Sequence, residues 1–155
     1  MHIHTTSSGF SMFELLIVLS IVAVLGGGGV GFYQNFSKDV ELKTTMRVIN
    51  ADLRTARAKS MARQDDLKWG VHFVNDGANP HYYELFSTPT DYANASMSVS
   101  ATTTLSKGLT FSDPSSGTKD IIFYKVAGTT TASTVGVTSS AGTQTLTISA
   151  LGTIY

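Results

Sequence analysis

Cysteine is absent from all 155 residues. That excludes disulfides, thiolate metal sites, iron–sulfur clusters and a cysteine nucleophile together. A folded domain, exported or not, must hold by core packing alone. Only three prolines occur, so a proline-rich class is excluded, and the 14 glycines follow no collagen repeat. Charge is also scarce: Asp, Glu, Lys and Arg make up 14% of the chain, against about 25% in ordinary soluble domains. Eleven basic residues balance eleven acidic ones, which argues against a generic polyanion binder. Neither G-x-S-x-G nor H-E-x-x-H is found. The length suits one domain of ordinary size.

What is present is uneven. Phe10 to Leu25 reads FSMFELLIVLSIVAVL, with Glu14 its one ionisable side chain. A glycine-diluted apolar stretch continues through Gly26–Gly31 to Phe32, Tyr33 and Phe36. As a helix, 10–36 would span roughly 40 Å, enough for a bilayer core of about 30 Å. The preceding MHIHTTSSG has no Lys or Arg, and no A-x-A-like site follows the apolar run, unlike a conventional signal peptide. An ordinary signal anchor is the plainer reading. Glu14 speaks against it, because a carboxylate at that depth costs about 2.5–3.5 kcal/mol and calls for a partner. A cut between Gly9 and Phe10 would create an amine one helical turn from Glu14. In an assembly, that amine on one subunit would neutralise Glu14 of its neighbour.

The segment Gly9-Phe10-Ser11-Met12-Phe13-Glu14-Leu15-Leu16-Ile17-Val18 resembles the N-terminal signal of type IV pilins and pseudopilins. The resemblance implies cleavage after Gly9 by a membrane prepilin peptidase, N-methylation of Phe10, and subunit assembly through Phe10 and Glu14. It implies a leader over 1–9, a transmembrane and assembly stem over 10–36, and a soluble head over 37–155. Two departures stand out. The leader has no Lys or Arg, leaving the N-terminal amine, with His2 and His4, to hold it inside. Gly31 lies near where that family often has a helix-breaking proline.

Gly26, Gly28 and Gly31 also satisfy G-x-G-x-x-G, with Asp52 about twenty residues on. That fingerprint needs a short strand before it and strand–helix alternation after it, and neither is expected. The alternative is a weakened helix segment, each glycine costing about 1 kcal/mol relative to alanine.

From Ser37 the pattern becomes that of an amphipathic helix over 38–63. Leu42, Met46, Ile49, Leu53 and Ala56 form one apolar stripe. Ser37 or Asp39 would cap it if the stem breaks there. Lys43, Arg47, Arg54 and Arg57 form a second stripe. It reads either as a weak contact for an anionic partner or as a solvated flank whose alkyl stems cover the core edge.

After Arg63 the helical period stops. Trp69–Val74 alternates, with Trp69, Val71 and Phe73 on one face. Asn75–Pro80 is rich in turn residues, and Tyr82–Phe86 reads as the returning strand. Residues 87–107 are polar and unassigned. Leu109–Phe111, Ile121–Val126, Thr134–Val137 and Leu146–Ile148 read as further strands, separated by turns. The expected class is α+β, a type IV pilin-like fold: a long N-terminal helix packed on an antiparallel, meander-like sheet over 69–155.

The run Asn50–Arg63, the Trp69–Phe73 strand and the closing Leu151-Gly152-Thr153-Ile154 are similar to GspH/FimT-type minor pilins. Some members of that group bind DNA during uptake through basic residues near the C-terminus. Here Thr153 follows the last glycine. Beyond Gly70 only Lys107, Lys119 and Lys125 face Asp76, Glu84, Asp91, Asp113, Asp120 and the terminal carboxylate, a poor setting for phosphate.

His72 and His81 are the only histidines beyond the leader. They read as exposed strand and loop residues, with a metal pair as the competing reading. Asp76-Gly77 with Asn75 and Asn79 lacks the spacing of a calcium loop and reads as a turn. Asn94-Ala95-Ser96 is a formal glycosylation sequon. No catalytic residue, metal site or cofactor is expected.

The expected function is structural: a minor pilin or pseudopilin of a type IV pilus or related type II secretion-like filament. The expected partners are prepilin peptidase, other pilin subunits and, before assembly, a membrane crossed once, with the head outside the cytoplasm. The filament would be an extracellular pilus or a periplasmic pseudopilus. A DNA-binding competence pilin is the alternative.

Overall fold

One apolar stripe organises the helix. The computed structural model describes residues 9–75, 77 and 81–155, with backbone alone for 27–34. Helix α1 runs Met12–Met61. It does not begin at Ser37 or Asp39, so neither caps it; Asp39 instead accepts a bond from Lys43, one turn on, at 2.6 Å. Leu42, Met46, Ile49, Leu53 and Ala56 are all buried, as a period of 3.6 requires. The next position on that stripe is Ser60, also fully buried. Its hydroxyl donates to the Phe123 carbonyl at 2.6 Å and accepts from the Trp69 amide at 3.4 Å. The helix therefore ends pinned to the sheet by a polar group whose own bonds are met.

A short 3-10 turn, Gln64–Asp66, leads to seven strands. These are β1 (Lys68–Asn75), β2 (Tyr82–Thr88), β3 (Ser98–Thr104), β4 (Thr110–Asp113), β5 (Gly117–Phe123), β6 (Ser133–Ser139) and β7 (Gly142–Ile148). The fold is α+β with antiparallel pairing throughout. The single meander is corrected. Four strands form one sheet in the order β3-β2-β1-β5, and three form another in the order β4-β6-β7. The turn after β4 carries the chain from one sheet to the other, and β5 returns to pair with β1. The side chain of Asn75, at the end of β1, donates to the carbonyls of Phe111 and Pro114 at 3.0 and 2.7 Å. This buried amide ties the two sheets together.

β1 is central and buried on both faces. Trp69, Val71 and Phe73 face the α1 core; Phe73 meets Tyr83 and Phe111 at centroid distances of 5.8 and 5.6 Å. On the other face Gly70 lies opposite Phe86 in register. A Cβ on Gly70 would stand 2.6 Å from the Ile121 carbonyl oxygen and 3.0 Å from the Phe86 ring, so only glycine allows this approach. Strand β3 occupies part of the unassigned polar stretch. Its residues, SVSATTT, are nearly all exposed, so it carries no apolar alternation.

Two compact units divide the chain, Met1–Phe36 and Ser37–Tyr155. The core described above belongs to the second.

Candidate functional site

In the first unit, Gly9 and Phe10 are exposed, and space around Gly9 is open. Ser11 caps α1: its hydroxyl accepts from the Phe13 amide at 3.3 Å, and its carbonyl accepts from Glu14 and Leu15 at 3.0 and 3.2 Å. Ser11-Met12-Phe13-Glu14 has the spacing of a capping box. Glu14 is thus the acid of the first turn, where the helix dipole favours it by about 0.3–1 kcal/mol. The sequence reading missed this local use of the charge, although the S-x-x-E spacing announces it.

The helix beyond Glu14 has no polar side. Leu15, Leu16, Ile17, Val18 and Leu19 are consecutive and each is at least 49% exposed. Consecutive positions advance by about 100°, so apolar surface surrounds the axis. Among the described residues, no helix is long and apolar enough to cross a membrane.

In the second unit the basic stripe comes apart. Lys43 is spent on Asp39. Arg47 is exposed and shares a hollow with Lys43, Met46 and Leu146. Arg54 donates through Nε to Asn50 at 2.8 Å. Arg57 donates to the backbone carbonyls of Gly128 and Leu151 at 3.3 and 3.1 Å. The four cations therefore make no continuous track; Lys43 and Arg57 are structural, and Arg54 and Arg57 border a separate hollow.

The two histidines are not exposed. Each retains only 7% of its surface. His72 contacts Asp120 through Nδ1 and stacks flat on Tyr92 at 3.6 Å. His72 pairs in register with Glu84 of β2 and with Asp120 of β5. Glu84 in turn accepts from Tyr92 at 2.5 Å and from Thr102 at 3.1 Å. Burial, reinforced by the Glu84 carboxylate, pushes the Tyr92 phenol well above its ordinary range. Tyr92 thus straps the loop after β2 onto the outer face of the sheet. These residues are distant in sequence and share one cross-strand row, which only the strand register reveals. Among the described residues the Nδ1 of His81 finds no partner. Among the described residues no cluster of three metal-ligating side chains forms. Of the turn after β1, Asp76 and Asn79 lie outside the described residues.

The dinucleotide reading fails on context: Gly26, Gly28 and Gly31 lie within α1, and Asp52, on the same helix, accepts a bond from Tyr83 at 2.8 Å.

Known proteins offer no guide. No protein-family model matches the chain, and no curated protein or solved structure does either.

Proposed function

We propose that this chain is a structural, non-catalytic subunit of a type IV pilus or related pseudopilus, with the soluble unit as a pilin-like head. The observation that carries the reading is the exposed, all-apolar helix after Glu14, coupled to the Gly9–Glu14 motif. A helix with no polar side needs an apolar surrounding. A lipid bilayer before assembly and a bundle of like helices afterwards both supply one. On this reading prepilin peptidase cuts after Gly9, Phe10 becomes the methylated N-terminus, and Glu14 meets the amine of a neighbouring subunit. The glycine-rich continuation to Phe36 completes the stem, and the head lies outside the cytoplasm. The broken basic stripe gives the DNA-uptake alternative no added support.

Processing is read by intact mass of the protein from its native host. The mass of a chain beginning at a methylated Phe10 is expected. Met1 retained in assembled filaments would refute the reading. Glu14→Ala should leave the head folded and the chain in the membrane, yet reduce its incorporation into filaments. Undiminished incorporation would remove the proposed Glu14–amine contact.

A further inference from the structure

We propose that the hollow beside the C-terminal end of α1 is a docking site for a protein segment that presents a carboxylate next to an apolar side chain. The proposal does not depend on the filament reading. The hollow encloses about 310 Å³ between Arg54, Arg57 and Met61 of α1 and Gly152, Thr153 and Ile154. Its back wall is built closely. A Cβ on Gly152 would stand 2.0 Å from the Gly128 carbonyl oxygen and 2.9 Å from Arg57 Nε. A Cβ on Gly128 would stand 2.7 Å from Met61. Both glycines have positive φ, 75° and 62°, so the chain is held in a form that side chains disfavour.

The wall carries charge without a counter-charge. Neither Arg54 nor Arg57 pairs with a carboxylate among the described residues. Arg57 is held in place by two backbone carbonyls, and Arg54 uses only Nε, toward Asn50. Guanidinium N–H groups therefore remain for a planar anion, which a carboxylate matches in bidentate fashion. Asp66 is engaged by Lys125 and Arg63.

The surroundings are apolar and strained. Met61, Val126 and Leu151 are 45, 61 and 71% exposed. Arg57 holds the Leu151 carbonyl, and the Val126 amide donates to Ser60 at 3.3 Å, which places both beside the end of α1. Val126 sits at φ 67°, costly for a β-branched residue, and is held there by the bond from its amide to the Ser60 carbonyl and by that from Ala127 to the Lys125 carbonyl at 2.7 Å. Apolar neighbours and only two guanidinium groups in the lining suit a protein carboxylate better than a nucleic-acid backbone, which needs an extended run of cations.

The test uses the full chain in detergent micelles, with arginine side chains labelled for NMR. The probe is the capped pentapeptide Ala-Leu-Glu-Leu-Ala, with its Gln counterpart as control. The Glu peptide should shift the Arg54 and Arg57 resonances and saturate at about millimolar concentration. The Gln peptide, and separately Arg54→Gln in the protein, should each weaken binding about tenfold. Arg54 is exposed, and among the described residues its guanidinium hydrogen-bonds Asn50 alone, so that variant leaves the core intact. Absence of shifts at both arginines, or equal shifts from the two peptides, would overturn the proposal. So would a short DNA duplex that displaces the Glu peptide from these arginines at lower concentration, which would make the site one for phosphate.

Discussion

Asp113 shows how one residue's surroundings set its charge. Burial works against its ionised form, but Lys119 and the Thr134 hydroxyl both donate to it, and together they hold its carboxyl below the ordinary range. A lowered carboxyl stabilises the fold at pH above its unfolded value, about 3.9. That contribution is lost as pH falls through the lower folded value. Asp113→Asn should therefore cost about 1 kcal/mol at neutral pH, allowing for partial exposure. The gap to the parent chain should close on acidification below about pH 4. Denaturant melts at pH 7 and pH 3 measure both; an unchanged gap at the two pH values would contradict the assignment. None of this was legible in the sequence, because Thr134 reaches Asp113 through the pairing of β4 with β6, and Lys119 only because the turn after β4 crosses from one sheet to the other. The same holds for His72. Its place in an alternating strand is plain from the residues around it. Its burial is not, because Tyr92, which covers it, arrives from a loop with no apolar period.

Elements divide between those that carry their pattern locally and those that do not. The α1 stripe is fully legible, since burial of one face at spacings of three and four is a local property. Trp69, Val71 and Phe73 were readable for the same reason. Strand β3 was not: with exposed serines and threonines it is held by its pairing with β2 rather than by burial. The two-sheet arrangement was also hidden. Whether β5 pairs with β4 or with β1 depends on contacts far apart in sequence, and short connections favour the simpler meander in any local reading. The stripe supplies the element-scale prediction. Leu53 is fully buried at the middle of it, and Leu53→Ala should cost about 2–5 kcal/mol. Ala51→Ser, on the exposed face of the same helix, should stay within about 0.5 kcal/mol. Equal losses in thermal or chemical melts would mean that the stripe is not the packed face.

At the scale of the whole molecule the question is which part folds by itself. The core residues all lie between Leu42 and Ile154, within the unit Ser37–Tyr155. Among the described residues, every member of that core lies after Ser37. A fragment from Ser37 to Tyr155 keeps the α1 stripe, both sheets and the Ser60 and Asn75 ties, so it retains the single core that a layered domain needs. It should be a soluble monomer of mixed secondary structure, about a fifth helical from Ser37–Met61 and about two fifths strand. Lacking cysteine, it should melt identically with and without reductant. Its scattered cations should hold duplex DNA only at micromolar concentrations or weaker at physiological salt, as non-specific contacts do. Circular dichroism, sedimentation and a salt-titrated DNA-binding assay read these outcomes. An unfolded fragment would mean that residues before Ser37 contribute to the core. Sub-micromolar DNA binding would turn the reading toward a competence pilin, with Arg47 and Arg54, the two exposed arginines of the stripe, as the first residues to substitute.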